Sequence, residues 1–281
     1  MNDKQRSAAF RKALTQQLQL QRSLTQRSND ELIALLGKVT DSISVTLIKQ
    51  PNDYQQWFLP QILSQIETIL QGLQQQAARS LNTSLDSSAN AGMLQLDNAL
   101  RSAGVSIAGI APMVDARMLT NMKSFHVNRI SDITKRAEGA IELELSKVLV
   151  GAQTSHDAQQ AIRAIMSESP AHRITTIVRT SMASVYSKSA HDRYTQAASV
   201  LPGLKKRWYK SGKRHPRLTH VLAHLQTKLI NEPFLVGNIK MMQPHDPSAP
   251  ASEVIRCGCT MRPHMDSWDV KSPATKTLPS L

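Results

Sequence analysis

The first half of the chain repeats apolar residues three or four positions apart, a spacing that places them on one face of an α-helix. The clearest run follows Pro60 and has glutamine and serine between its apolar positions. Its members are Ile62, Ile66, Ile69, Leu73, Ala77, Leu81 and Leu85. A narrow apolar stripe on a polar helix is typical of a helical hairpin, a coiled-coil arm or a helix in an ordinary bundle. The pattern therefore predicts a long helix after Pro60 that extends toward Leu100.

Further helices are predicted on both sides of this run. Ser28 to Glu31 has capping-box spacing, so a second helix is expected to begin there and to end before Pro51. Gly104 to Pro112 predicts a break, and helical spacing resumes at about Met118. The predicted helices cover approximately residues 10–24, 28–50, 60–100, 118–149, 154–166 and 172–198.

After Pro202–Gly203 the pattern changes from helical spacing to short strands. Strands are predicted over residues 204–210, 233–242 and 253–261, with a short helix over 216–226. The fold class is therefore predicted as α+β, with a long, mostly helical N-terminal two-thirds and a small mixed α/β C-terminal domain. The predicted domains are a helical arm or hairpin (1–112), a second helical region (113–202), a small basic domain (203–265) and a polar tail (266–281).

Composition narrows the class of protein. Apolar residues make up 41% of the chain and charged residues 20%, so the composition is not that of a disordered protein. Two cysteines in 281 residues exclude a secreted scaffold stapled by disulfides. The charged N-terminus predicts no signal peptide, and no apolar stretch is long enough to cross a bilayer. We therefore expect a soluble protein without a membrane partner.

The net charge of +13 is concentrated in the last third of the chain. No acidic residue occurs between Asp192 and Glu232. The pattern is that of a solvated basic face, or of a surface for phosphate backbones or an acidic protein. Trp208 and Tyr209 lie within this run and offer stacking surfaces, although Trp208 is expected first as a core residue of the small domain. The residues predicted to bind double-stranded DNA without sequence specificity are Lys205, Lys206, Arg207, Lys210, Lys213, Arg214 and Arg217.

The two cysteines form a Cys257-Gly258-Cys259 motif in the same region as several histidines. Thiolate and imidazole are the ligands of structural zinc, so His220 and both cysteines are candidate zinc ligands. His224 or His264 is the predicted fourth ligand. The alternatives are two small buried thiols, or a catalytic cysteine. In each case we expect His220 to lie close to the cysteine turn.

Sequence signatures of several enzyme classes are absent. The chain has no phosphate-binding Gly-x-x-x-x-Gly-Lys loop, no dinucleotide-binding Gly-x-Gly-x-x-Gly and no Gly-x-Ser-x-Gly nucleophile elbow. A two-metal nuclease requires several carboxylates beside its basic channel, and the basic region is poor in acids. We therefore predict that the protein is not an enzyme.

The segment from Arg173 to Cys259 resembles the phage Mu F-like head-morphogenesis (minor head protein) family. The resemblance depends on the order of five short motifs rather than on any one of them. These are Ile177-Val178-Arg179-Thr180, Lys206-Arg207-Trp208, Arg217-Leu218-Thr219-His220, Pro244-His245-Asp246-Pro247 and Cys257-Gly258-Cys259. The sequence departs from the family pattern at Gly258, where the family usually has arginine.

This resemblance implies a minor structural protein of a tailed-phage head that acts in head morphogenesis. Its expected partners are the portal or the major capsid protein and the packaged DNA. Its expected location is the virion, and the host cytoplasm during assembly. The alternative is an enzyme that acts on nucleic acid, or a toxin-like effector domain delivered with the virion.

Overall fold

A computed structural model describes residues 1–49, 59–105, 107, 113, 115–167 and 169–266 and shows the predicted α+β fold. Five helices occupy most of the chain up to residue 198. They are α1 (Asp3–Ile48), α2 (Leu59–Ser102), α3 (Ala116–Leu149), α4 (Ser155–Ser167) and α5 (Ser169–Ala198). None of the helices within these described ranges is long and apolar enough to cross a membrane.

The apolar stripe of α2 forms as the sequence predicts. Ile62, Ile66, Leu81 and Leu85 are all buried, whereas the polar positions between them are mostly exposed. Near Ile69 the buried position is Leu70 instead. This shift by one residue keeps the buried side chains in line, since an α-helix has 3.6 residues per turn.

The predicted break at Ser28 does not occur, because α1 continues through it. Ser28 and Asn29 are buried inside the helix rather than exposed at its start. The buried residues Leu32 and Leu36 continue the stripe begun by Leu18, so packing overrides the local capping signal. The predicted stop at Pro51 lies outside the described residues.

The later helix boundaries follow recognisable local chemistry. Gly151 ends α3 with a φ of +72°, a conformation that glycine adopts without strain. The backbone N–H of Asp157 donates to Oγ1 of Thr154 at 3.1 Å, which caps the start of α4. Pro170, predicted to separate two helices, lies in the first turn of α5, where its missing N–H costs no hydrogen bond.

The C-terminal region contains one three-stranded sheet and one hairpin. The elements are β1 (Leu204–Tyr209), α6 (Leu218–Leu222), β2 (Thr227–Leu229), β3 (Phe234–Val236), β4 (Ile239–Met241), α7 (Ala251–Val254) and β5 (Thr260–Met265). The sheet has the order β2-β1-β5 with antiparallel pairs, and β3 pairs with β4.

Three predicted elements of this region differ from the structure. The strand predicted over 233–242 is a hairpin, since Gly237 has a φ of +61° and turns the chain between β3 and β4. The strand predicted over 253–261 is replaced by α7 and the start of β5. The short helix predicted over 216–226 is limited to α6, and the following β2 was not predicted.

Two compact units divide the described chain, and each combines segments that are distant in sequence. The strand-containing unit consists of Met1–Arg22, Ser87–Ala116 and Ala183–Leu281. The helical unit consists of Ser23–Asp86 and Arg117–Met182.

The core of the strand-containing unit surrounds Trp208. This side chain is 0% exposed, and its ring packs edge-on against Phe234 with centroids 5.3 Å apart. The interpretation of Trp208 as a core residue is therefore confirmed, and its ring is not available for stacking on nucleic-acid bases.

Candidate functional site

Two short elements of the strand-containing unit bring one histidine and two cysteines together. His220 lies on α6, and Cys257 and Cys259 lie between α7 and β5. Trp208 on β1 packs against His220 with ring centroids 5.9 Å apart. Because Trp208 and His220 are both buried, this packing holds the imidazole within the core of the unit.

The three side chains form a cluster with metal-ligating geometry. Nδ1 of His220 lies 3.2 Å from Sγ of Cys259 and 3.5 Å from Sγ of Cys257. All three ligand atoms lie within 4.8 Å of one another. Tetrahedral zinc separates a sulfur and a nitrogen ligand by about 3.5 Å. The prediction that His220 lies close to the cysteine turn is therefore confirmed, and the cluster is a group that could hold a metal ion.

The cysteine turn depends on a close approach of the backbone at Gly258. A Cβ at this position would lie 2.9 Å from Cβ of Ser211, which is too short for two carbon atoms. The backbone N–H of Cys259 donates to Sγ of Cys257 at 3.3 Å, and Nδ1 of His220 lies 3.2 Å and 3.5 Å from the sulfurs of Cys259 and Cys257. Glycine therefore provides the bend that brings both sulfurs to His220.

Two basic side chains hold the segment before the cysteines. Nη2 of Arg217 donates to the carbonyl oxygen of Ile255 at 2.6 Å, and Nζ of Lys213 donates to the carbonyl oxygen of Arg256. Arg256 has a φ of +55°, an uncommon conformation for a residue with a side chain. These contacts stabilise the conformation from which the cysteine turn begins.

A carboxylate completes the cluster on the other side of His220. Nε2 of His220 lies 2.7 Å from Oε2 of Glu253, which also accepts a hydrogen bond from Oγ1 of Thr219 at 3.1 Å. A carboxylate on the second nitrogen is the usual support of a metal-ligating histidine. Glu253 was not predicted at this site, because the sequence pattern favoured a strand at residue 253 rather than α7.

The electrostatics of the cluster favour a thiolate at Cys259. Its hydrogen bond with Cys257 and the nearby His220 lower the pKa of Cys259 to about 5. The same contact with Cys259, together with burial, raises the pKa of Cys257. Burial disfavours the charged form of His220, but Cys259 and Glu253 outweigh it and raise the pKa of that imidazole. Thiolates are the form in which cysteines bind metals.

The structure places neither His224 nor His264 in this cluster. Helix α6 ends at Leu222, so His220 and His224 do not share a helix face, and Nδ1 of His224 accepts from the backbone N–H of Lys210. Nε2 of His264 lies 2.9 Å from Nη2 of Arg207 and 3.1 Å from Oδ1 of Asp266. The predicted fourth ligand is therefore not found at either position.

A different histidine, His245, is buried and is influenced by His220, but it is not one of the three members of the cluster. Its side chain is 0% exposed, and neither ring nitrogen makes a hydrogen bond of normal geometry within the described part of the chain. Burial lowers its pKa to about 3, the charge of His220 acts in the same direction, and the Val254 carbonyl opposes both. His245 is therefore a buried imidazole that stays neutral near pH 7.

The loop that carries His245 is held by Asp246. The Asp246 carboxylate accepts hydrogen bonds from the backbone N–H groups of Met242 and Ser248, at 2.7 Å and 3.0 Å. Oγ of Ser184 donates to the carbonyl oxygen of His245 at 3.1 Å. His245 itself has a φ of +60°, so these contacts hold the residue in a conformation that is rarely adopted.

The seven basic residues predicted to bind DNA do not share one environment. Lys210, Lys213 and Arg214 are exposed, whereas Lys205, Arg207 and Arg217 are partly buried. Lys206 is 0% exposed, because alternate residues of β1 face opposite sides of the sheet.

The amine of Lys206 makes its contacts within the core of the strand-containing unit. Its Nζ donates to the carbonyl oxygen of Met242 at 2.8 Å and lies 5.1 Å from the ring centroid of Phe234. Burial is the largest cause that lowers the pKa of Lys206 to about 8. This corrects the prediction that all seven basic side chains present their charges to a ligand.

Comparisons with known proteins give one distant relative. No protein-family model and no solved structure matches the chain. The chain is similar to the uncharacterized protein YqbB of Bacillus subtilis (strain 168), with 27% identity over 176 residues. This match covers 59% of the chain and 56% of YqbB, so the chain spans little more than half the length of that relative.

Proposed function

We propose that this protein is a minor structural protein of a tailed-phage head that acts in head morphogenesis and is a component of the virion. The observation that carries the proposal is the convergence of motifs that are distant in sequence. Trp208 packs against His220, His220 contacts Cys259, and Arg217 donates to the Ile255 carbonyl. Three of the five motifs that resemble those of minor head proteins thus pack into one cluster, which supports the proposed relationship.

Mass spectrometry of purified virions tests this proposal. We expect the protein in particles produced by a host that carries its gene, in few copies per particle. We also expect chemical crosslinks to the portal or the major capsid protein, the protein partners that we propose. Particles that assemble with DNA and lack this protein would contradict a role as a virion component.

We further propose that the protein contacts packaged double-stranded DNA through its phosphates, without sequence specificity. Lys210 and Arg214 are exposed and lie in a stretch without acidic residues. Phosphate contacts release counterions, so the logarithm of the affinity falls with the logarithm of the salt concentration by about 0.9 per contact. The salt dependence therefore reports how many phosphates are contacted.

The double variant Lys210→Gln and Arg214→Gln measures these contacts. We expect weaker binding to a DNA duplex and a salt slope that is shallower by up to about 1.8. The matched control is Lys38→Gln with Arg163→Gln, which removes the same two charge types from exposed positions of the helical unit. Equal slopes for the two double variants would contradict a DNA surface at Lys210 and Arg214.

We propose that the cluster of His220, Cys257 and Cys259 holds a structural zinc ion. Two thiols and one imidazole supported by Glu253 match the ligand chemistry of zinc. Bound zinc would join α6 to the start of β5.

Elemental analysis of the purified full-length protein tests the zinc proposal. We expect a zinc-to-protein ratio of about 1, because the described residues contain one such cluster. The ratio should fall in Cys257→Ser and in Cys259→Ser and stay unchanged in His224→Ala, since His224 lies outside the cluster. Protein purified without metal, with no change in unfolding temperature on addition of zinc, would favour two buried thiols instead.

The same geometry supports a second candidate function, in which Cys259 is a nucleophile. Sulfur, imidazole and carboxylate follow one another from Cys259 through His220 to Glu253, as in cysteine-dependent enzymes. Against this candidate, Cys259 is 3% exposed and its sulfur is not accessible to a substrate. Iodoacetamide labelling separates the two functions. Rapid alkylation of Cys259 would support the nucleophile, and protection that a chelator removes would support zinc.

A further inference from the structure

A cavity of about 330 Å³ lies between the first turns of α1 and the strands β1 and β5, within the strand-containing unit. None of the described residues that line it is acidic, and three are arginines. The lining residues that carry the argument are Arg11, Thr15, Arg207, Tyr209, Arg262 and His264. We call this site the arginine cavity.

Two of the arginines face each other across the sheet. Arg207 on β1 and Arg262 on β5 are direct partners in the antiparallel register, so their side chains project from the same face. Like charges directly opposite each other in a sheet destabilise it. Arg11 adds a third positive charge from α1. The cavity therefore concentrates positive charge at a position where an anion would stabilise the fold.

The contacts of Arg207 and Arg262 position the guanidinium groups without neutralising them. Nε of Arg207 donates to Oγ1 of Thr227 at 2.7 Å, and Nη2 lies 2.9 Å from Nε2 of His264. The guanidinium of Arg262 lies over the Tyr209 ring, 4.2 Å from its centroid. Nε of Arg262 is buried and has no hydrogen-bond partner among the residues that the structure describes.

The carboxylate that contacts His264, one of the lining residues, also pairs with another group. Asp266 accepts from Nζ of Lys205 and lies 3.1 Å from Nε2 of His264, and it does not line the cavity. Burial, the largest cause, lowers the pKa of Arg262, and the positive charge of Arg22 contributes in the same direction. The charge of the arginine pair is thus not compensated by an acidic side chain in the cavity.

We propose that the arginine cavity is a phosphate-binding site, in which Arg207 and Arg262 hold the phosphate oxygens. Planar guanidinium groups with several N–H donors bind phosphate oxygens in pairs, which suits them better than lysine for this role. Tyr209 lines the same cavity, and its hydroxyl can donate a further hydrogen bond, whereas Oγ1 of Thr15 donates to the Arg11 carbonyl at 3.1 Å. Apart from Arg207, the site uses none of the basic residues predicted from the sequence.

The phosphate belongs either to a DNA strand or to a free phosphorylated molecule. In the first case the inference rests on the proposed DNA association, and in the second it is independent of it. Binding of three probes to the full chain distinguishes the sources: inorganic phosphate, adenosine 5′-monophosphate and a short DNA duplex. Each is measured with the wild type, Arg262→Gln and Arg163→Gln, the last removing the same charge from an exposed position on α4.

We expect Arg262→Gln to weaken phosphate binding by about tenfold or more, since hydrogen bonds to charged groups are the strongest of those available here. A parallel loss of DNA affinity, with inorganic phosphate as a competitor, identifies a strand phosphate as the occupant. A loss confined to phosphate and the nucleotide identifies a free ligand and leaves DNA binding intact. If Arg262→Gln and Arg163→Gln bind all three probes equally, the proposal is overturned.

Thermal unfolding supplies a second readout that is independent of affinity. In phosphate-free buffer, Arg262→Gln should unfold at the same temperature as the wild type or higher, because the repulsion from Arg207 is relieved. Phosphate should raise the unfolding temperature of the wild type and of Arg163→Gln but not that of Arg262→Gln. An equal rise in all three proteins would contradict a site at Arg262.

Discussion

The helical unit and the strand-containing unit bury different kinds of side chain. In the helical unit, buried residues such as Leu81 and Ile141 are aliphatic and recur at helical spacing. The strand-containing unit also buries charged groups. In the part of the chain that the structure describes, every buried lysine, arginine and aspartate lies there: Arg193, Lys206 and Asp246.

This difference shows that the two units depend on different interactions. An aliphatic core is stabilised by the removal of apolar surface from water and tolerates changes that keep its volume. A buried charge is tolerated only with a partner at the right position. The stability of the strand-containing unit should therefore depend more strongly on individual polar contacts than that of the helical unit.

The largest expected effect comes from an ion pair in the strand-containing unit. Nε and Nη2 of Arg193 donate to the two oxygens of Asp97 at 2.9 Å and 3.0 Å, and the arginine side chain is 1% exposed. Asp97→Ala leaves a buried guanidinium without its carboxylate and should lower the free energy of unfolding by about 3–5 kcal/mol. Urea denaturation followed by circular dichroism measures the loss.

An ion pair of the helical unit provides the matched control. Asp86 pairs with Lys123, and their side chains are 48% and 25% exposed. Asp86→Ala should cost at most about 1 kcal/mol, because exposed ion pairs contribute little. Similar losses for Asp97→Ala and Asp86→Ala would remove the proposed difference between the units.

Two glycines test packing in the same way. A Cβ at Gly92, in the strand-containing unit, would lie 2.3 Å from the carbonyl oxygen of Tyr186. Gly92→Ala should therefore cost about 1–3 kcal/mol through overpacking. Gly139 on α3, in the helical unit, has no atom within 4 Å of such a Cβ among the described residues. Gly139→Ala should stabilise the protein by about 0.5–1 kcal/mol, because alanine favours the helix.

The denaturation midpoint of each variant measures these effects. A lower midpoint for Gly92→Ala and a higher midpoint for Gly139→Ala would support the proposed difference between the two units. Destabilisation by Gly139→Ala would show that α3 is packed more closely than its contacts indicate. A neutral effect of Gly92→Ala would show that the Tyr186 backbone moves without cost.

The smallest expected effect concerns His126, a titratable residue that is buried in the helical unit. Burial, aided by Arg129, lowers the pKa of His126 to about 4, below the ordinary value of 6.5. The folded state therefore binds fewer protons than the unfolded state between these values, and stability falls as the pH falls through this window. From pH 7 to pH 6 we expect His126 to account for a loss of about 0.5–1 kcal/mol.

His126→Leu should reduce this loss, and unfolding measured at the two pH values checks it. His156→Leu, at an exposed position of α4, controls for the removal of an imidazole. If the pH dependence of His126→Leu equals that of His156→Leu, burial of His126 does not contribute to it.

Much of the helical architecture was predictable because it depends on local spacing. The stripe from Ile62 to Leu85 and the strand at Leu204–Tyr209 were expected from their periodicity and were found. The continuity of α1 through Ser28 was not predicted, since a capping signal is local and its outcome was decided by the packing of Leu32 and Leu36.

The candidate metal cluster was predictable only in part. His220 and the two cysteines were expected to lie together because thiolate and imidazole groups are both ligands of structural zinc. Glu253 was not assigned to the cluster. Its contact with His220 depends on α7 forming where a strand was predicted.

Elements whose formation depends on neighbours within one helical turn, or on strand alternation, were predictable from the sequence. Which distant groups face each other depends on how the elements pack. Lys206 and Arg207 are adjacent basic residues, yet the first is enclosed in the core and the second lines a cavity opposite Arg262. Alternation along a strand separates two neighbours onto opposite faces, but which face is buried depends on the segments that pack against it.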